Sequence, residues 1–264
     1  CQIPMPGGMG IFSREVHDKH IFDKALGVGA KYLPWKFKEC TEINNAWRIS
    51  TDHDDIEVDF IVGADGATSR VRNRLSTKLP RESYFKATDY LVSRTDLPLH
   101  IGFNNDLNGY LWVFPREKNT SIGIVDFDDK TSRRMTALDN YLVKFGISEK
   151  DIISKRSALI PSLRKSDIKS HEISGKNWAL VGDASAMAEP ITGEGIYYAL
   201  RSARLLDKCL NDKLDYNSLW KKEFTQIVSE SAVSRISYKI INLSLMKFFL
   251  KRSSLMRRMM GQYF

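Results

Sequence analysis

Two glycine-bearing strand ends hold the residue types from which the chemistry of this 264-residue chain can be argued. The first is DFIVGADGATSRVRNRL, Asp59 to Leu75, where an apolar strand runs into Gly63, Asp65, Gly66, Ser69 and Arg72. Glycine at a strand end lets backbone approach a ligand closely, and arginine there offers a charge-assisted contact to a phosphate, so a nucleotide suits the pattern. A strand, a turn and a basic helix with no ligand account for the same residues equally well. The second is WALVGDASAMAEPITGEGIYYALRSARLL, Trp178 to Leu206, where a buried strand ends in Gly182-Asp183 and a Gly193-Glu194-Gly195 loop opens a helix. An Asp so placed can accept hydrogen bonds from ribose or ribitol hydroxyls. Unpaired N–H groups at a helix N-terminus favour an anion or an electron-rich ring edge. Punctuation of a strand-to-helix turn by Pro and Gly is the structural alternative.

A third pattern, GYLWVFP from Gly109 to Pro115, alternates Tyr110, Trp112 and Phe114. On a strand the three rings share one face. Ordinary core packing is the reading the residues alone favour.

These patterns need elements to hold them. DKHIFDKALGVGA, Asp18 to Ala30, has apolar residues at helical spacing and glycines at its end. AWRISTD and IEVDFIVGA predict a hairpin leading into a buried strand. Short β-rich runs between Ser76 and Asp128 predict a mostly antiparallel sheet, and strand, loop and helix return from Asn177. Beyond Asp215 the pattern is helical, without Pro or Gly until Gly261.

Composition narrows the function classes. The N-terminus lacks the regions of a signal peptide, and no apolar run reaches the eighteen or so residues a membrane-spanning helix needs, so a cytoplasmic protein is expected. Cys1, Cys40 and Cys209 have neither disulfide nor metal-ligand spacing, and no metal site is expected. The net charge of +8 gathers at the end. No acid follows Glu230, while Arg235, Lys239, Lys247, Lys251, Arg252, Arg257 and Arg258 alternate with apolar residues. That pattern suits peripheral contact with an anionic membrane, or a helix that turns its charges to water. Nucleic acid is not expected, since no recognition module accompanies the charge.

In order and separation, the two glycine motifs resemble those of FAD-dependent oxidoreductases related to p-hydroxybenzoate hydroxylase. The aromatic motif and PITGEGIYYALRSAR resemble the geranylgeranyl reductase family within that group. The resemblance implies an α/β (α+β) protein with a Rossmann-like FAD-binding domain over 13–75 and 175–214 and an antiparallel substrate domain over 76–174 with 1–12. A C-terminal helical region covers 215–264. It puts GADGATSRVR near the FAD pyrophosphate and the approach of NAD(P)H or another reductant. Asp183 falls on the ribose, with Gly182 before it, and Pro190, Gly193, Gly195 and Ile196 beside the flavin ring. Tyr110, Trp112, Phe114 and Pro115 line an isoprenoid cavity. Lys19 stands where the family's Arg-x-x-Phe-Asp-x-x-Leu pattern has arginine, and a lysine keeps the charge without the bidentate fork. The family's opening strand, Gly-x-Gly-x-x-Gly loop and helix are not found before Arg14, so the chain is expected to be truncated and inactive alone. The implied activity is reduction of carbon–carbon double bonds of a prenyl lipid. The alternatives are a monooxygenase or halogenase of the same superfamily, and a non-catalytic membrane-peripheral lipid-binding remnant. Glu194, Tyr197 and Tyr198 fall near the expected ring, but none is assigned as a proton donor.

Overall fold

The computed structural model describes residues 11–102, 109–126, 131–190 and 192–240. Along the chain lie α1 (Arg14–Gly27), β1 (Phe37–Ile43), β2 (Ala46–Thr51), β3 (Ile56–Val58), β4 (Ile61–Gly63) and α2 (Arg70–Leu75). These are followed by β5 (Tyr84–Val92), β6 (His100–Gly102), β7 (Gly109–Pro115), β8 (Thr120–Asp126), α3 (Thr131–Lys144) and β9 (Ile152–Pro161). The remaining elements are α4 (Lys165–Ile168), β10 (Ser174–Gly175), β11 (Trp178–Leu180), α5 (Ile196–Asp212) and α6 (Tyr216–Ile240).

The helix expected from Asp18 begins four residues earlier, because Arg14 pairs with Asp18 and Lys19 with Asp23 one turn on. Its apolar Val16, Ile21, Phe22 and Leu26 are exposed among the described residues. The expected hairpin of β2 and β3 forms, and β1 joins it as a third strand. Asn44 and Asn45 make that extra turn possible, both at positive φ (50° and 68°), where asparagine is tolerated better than most residues. β4 pairs parallel with β11, and β10 lies antiparallel on β11's other side. The chain thus returns after more than a hundred residues to complete a small sheet begun by β4.

Between these visits it builds a five-stranded antiparallel sheet in the order β6-β7-β8-β5-β9. The antiparallel sheet expected between Ser76 and Asp128 holds its first four strands; β9, after an intervening helix, completes it. Val92, Leu111, Val113, Ile122 and Ile124 fill one face under Leu138, Tyr141 and Leu142 of α3. The period of two therefore sends Tyr110, Trp112 and Phe114 to the opposite face.

A second core joins Trp47, Ile61 and Val71 to Leu163, Ile168, Ile173, Leu180, Tyr198, Leu206, Trp220 and Phe224. Residues from Leu163 onward therefore pack with the small sheet, as does the first half of α6. Residues 241–264, and with them most of the basic tail, lie outside the described residues. Among the described residues no helix is long and apolar enough to cross a membrane, and no cluster of His, Cys, Asp and Glu could hold a metal.

His171 is enclosed in this core against the Trp220 ring. Burial and the nearby Arg72 charge hold its pKa down at about 4, against 6.5 when unperturbed, while a backbone hydrogen bond with Ser185 acts the other way. Folded protein keeps the imidazole neutral where an unfolded chain protonates it, so stability present above pH 6.5 is lost as pH falls towards 4. The expected contribution is about 3 kcal/mol. Urea denaturation of wild type and His171→Gln across this window should show a shallower fall for the variant; parallel curves would mean that His171 is not the titrating group.

Candidate functional site

The β4 strand ends at Gly63, where a Cβ would meet Leu180 Cδ2 at 2.7 Å and Val71 Cγ1 at 2.9 Å. Only glycine lets β4, β11 and α2 converge this closely. The following turn is organised by Asp65. Its Oδ2 accepts from the backbone N–H groups of Arg70 (2.7 Å) and Val71 (3.2 Å), and its Oδ1 from the Ser69 hydroxyl. Ser69 caps α2 by accepting from Arg72 N–H at 2.9 Å, and Gly66 takes φ +80°. Asp65, Gly66 and Ser69 thus hold the turn in shape.

Arg72 is fully buried, with burial pushing its pKa down. One Nη donates to the carbonyls of Ala184 (3.0 Å) and Asp183 (3.3 Å), the other to the carbonyl of Ala67 (2.7 Å) and the hydroxyl of Tyr84 (2.8 Å). The phosphate contact expected from its spacing would require exchanging some of these bonds. As it stands, Arg72 ties the first glycine motif to the second and, through Tyr84, to the start of β5. Lys19, expected at the FAD, is exposed and paired with Asp23.

At the end of β11, Gly182 takes φ +58° and donates its N–H to Ser202 Oγ of α5 at 2.8 Å. Asp183 follows, half-buried, its carboxyl held above the usual range by burial while Arg14 and Arg72 oppose the rise. No described side chain or backbone N–H within hydrogen-bond distance donates to it. A Cβ on Gly195 would lie 3.2 Å from its Oδ1, so glycine keeps that side open. Arg14, whose charge acts on Asp183, was not singled out by sequence patterning.

The loop from Glu189 to Gly195 is pinned from within. Glu189 is buried; its Oε2 accepts from Thr192 N–H (2.6 Å) and hydroxyl (2.8 Å), its carbonyl from Gly193 N–H, and its own N–H meets the Glu194 carbonyl. Pro190 is buried, while Ile196 is exposed at the start of α5. Gly193, at φ +69°, has no room for a Cβ, which would approach Ile160 Cδ1 to 2.9 Å. Gly195 begins α5 without a side-chain cap. Tyr198 is buried and its pKa raised by that burial, whereas Tyr197 lies near the surface under Arg201.

The aromatic strand faces this loop. The Tyr110 hydroxyl donates to the Thr192 carbonyl. Trp112 sits between Tyr110 and Phe114, with ring centroids 6.0 and 6.1 Å away. Its indole lies across Gly123 of β8, where a Cβ would fall 2.2 Å from the ring. The indole N–H donates to Ser121 Oγ (3.0 Å), Ser121 to Asp89 Oδ2 (2.9 Å), and the same oxygen accepts from Arg156 Nη2 (2.7 Å). β7, β8, β5 and β9 each contribute one member of this chain. Core packing, the reading first favoured for these aromatics, belongs to Leu111 and Val113 on the other face.

A half-buried carboxylate without a described donor, a glycine gap beside it and an uncapped helix start suit a ribose and a flavin ring, so the residues fit FAD. This two-part fold, a small parallel pairing under helices joined to a large antiparallel sheet, is that of FAD-dependent oxidoreductases. The chain belongs to the family described as FAD binding domain, whose profile matches residues 44–215. It is 31% identical over 219 residues to an uncharacterized protein of Methanosarcina barkeri, covering 77% of this chain and 53% of that one. It is 30% identical over 219 residues to a geranylgeranyl diphosphate reductase of Rhodobacter capsulatus, covering 76% and 54%. The chain spans about half the length of these curated relatives. Among solved structures, a geranylgeranyl bacteriochlorophyll reductase-like protein of Thermoplasma acidophilum superposes with a TM-score of 0.71 at 20% identity, over 90% of this chain and 66% of that one. A tetracycline destructase superposes at 0.64 with 14% identity, over 92% and 72%. At these identities the structures establish the shared fold alone.

Replacing Arg72 by Met would leave the carbonyls of Ala67, Asp183 and Ala184 without its donors. A loss of about 3 kcal/mol or more in urea denaturation is expected, and Arg72→Lys should recover only part of it because an ammonium lacks the fork. A loss below about 1 kcal/mol would show that water replaces the clamp.

Proposed function

We propose that the protein holds FAD at Asp183 and the Glu189–Gly195 loop and reduces carbon–carbon double bonds of a prenyl lipid. The observation that carries this reading is the aromatic face of β7 turned to the loop and joined to it by the Tyr110–Thr192 hydrogen bond. A prenyl chain is long, apolar and rich in alkenes, and three rings in a row on a half-exposed strand offer it a wall that also excludes water. FAD, when bound, would supply the hydride to one alkene carbon, with the proton for the other coming from water or an acid. Asp183 accepts hydrogen bonds from the ribose, the internally bonded loop fixes where the ring lies, and Trp112 orients the chain. The sequence relative named geranylgeranyl diphosphate reductase supports this substrate class over oxygen chemistry.

The test is anaerobic incubation of the whole protein, FAD-loaded and chemically reduced, with a geranylgeranyl lipid, reading saturation by mass spectrometry. Hydrogenated product is expected without oxygen; product only with oxygen would favour the monooxygenase reading. Trp112→Ala should depress turnover while FAD stays bound, and Asp183→Ala should weaken FAD binding about tenfold to a hundredfold. Release of flavin by Trp112→Ala would return the ring to a structural role.

The substrate lies in a membrane, and the basic residues after Glu230 suit collection from an anionic surface. Liposome co-sedimentation should require anionic lipid, weaken with salt and fall on removal of residues 245–264. Equal sedimentation with and without them would withdraw the membrane from the reading.

A further inference from the structure

Trp112 belongs to a row of residues that crosses the large sheet. The strand register sets it opposite Gly123 of β8, Gly123 opposite Asp89 of β5, and Asp89 opposite Arg156 of β9. Residues directly opposite one another in a ladder share a face, so this carboxylate and guanidinium lie on the same side of the sheet as the aromatic rings. Asp89 is the more enclosed of the pair, its side chain 17% exposed against 51% for Arg156.

A charge drawn onto the face that carries an apolar wall calls for an explanation, since its desolvation is costly and a partly exposed ion pair adds little stability. The direction of the hydrogen bonds supplies one. An indole N–H can only donate, and a carboxylate can only accept. Ser121, buried between them, does both: it accepts from Trp112 Nε1 at 3.0 Å and donates to Asp89 Oδ2 at 2.9 Å. Asp89, itself held by Arg156 Nη2 at 2.7 Å, thereby commits the Ser121 proton to one direction and leaves the oxygen lone pairs to the indole.

Gly123 gives that contact its effect. A Cβ there would lie 2.2 Å from Trp112 Cζ2 and 2.6 Å from Cε2, so the ring reclines on the backbone of β8 instead of standing away from the sheet. A reclining indole offers its flat face to a ligand on the wall; an upright one would offer an edge and fill the space itself. The ring has one polar atom, and Ser121 holds it.

We propose that Asp89 and Ser121 are positioning residues for the substrate: they hold Trp112 flat on β8 and so fix the surface along which a prenyl chain binds. This rests on the prenyl reading above and extends it to two polar residues that act through the ring.

The test uses the whole protein, FAD-loaded and carrying isotope-labelled tryptophan, with Trp112→Phe identifying the Trp112 indole N–H in the NMR spectrum. Binding of geranylgeraniol is measured beside it by calorimetry. Ser121→Ala should move the Trp112 signal, speed exchange of that N–H with solvent and weaken geranylgeraniol binding about threefold to tenfold, with FAD affinity unchanged. Ser121→Thr keeps a hydroxyl and should restore both signal and affinity. The near-isosteric Asp89→Asn should fall between wild type and Ser121→Ala. A general loss of stability would lower the melting temperature without a shift confined to one indole. If the Trp112 signal moves while lipid affinity does not, or if both Ser121→Ala and Asp89→Asn leave that signal in place, the positioning role is overturned and the prenyl reading stands. If wild type binds no geranylgeraniol, the prenyl reading falls and this inference with it.

Discussion

Three segments of the chain converge on the Arg72 guanidinium: the turn at Ala67, the carbonyls of Asp183 and Ala184, and the Tyr84 hydroxyl at the head of β5. Desolvating an arginine this completely is costly, and neutral oxygens accepting its N–H groups offset part of that cost. The result is geometric. Asp183 presents its side chain to the site because its own carbonyl is held from behind. The large sheet begins where it does because Tyr84 is fixed to the same group. The distance between the Glu189–Gly195 loop and the aromatic strand is thereby set from one buried point, before either touches a ligand.

Sequence patterning read this architecture unevenly. Alternation placed Tyr110, Trp112 and Phe114 on one face of a strand, yet burial statistics for aromatics pointed to the core. The face was decided by Leu111 and Val113, which pack under α3 and leave the rings outward. The phosphate contact read for Arg72 illustrates the opposite difficulty. An arginine after a glycine turn looks the same in sequence whether its charge faces a ligand or three carbonyls, because two of those carbonyls, Asp183 and Ala184, lie more than a hundred positions away. Arg14 and Glu189 were missed for a related reason: each matters through a partner that only folding brings near, or through backbone groups of its own loop.

β1 was overlooked because its residues, FKECTEI, mix charge with apolar side chains and only Cys40 among them is buried. The Asn44-Asn45 pair was the available signal, a turn suited to two residues at positive φ. By contrast, the return of the chain to pair β11 with β4 was legible. Two apolar strands each running into glycine and aspartate are a local signature, and neither depends on what lies between them.

The Tyr110 hydroxyl has a consequence of another kind. It spans from the sheet to the Thr192 carbonyl, and Thr192 is fixed in turn by the buried Glu189. The phenol therefore acts as a spacer of fixed length between two walls made far apart in the chain. A phenylalanine there would keep the apolar surface but remove the strut, and the separation of strand and loop could then vary with the fluctuations of the loop. That separation is gauged by the length of one side chain.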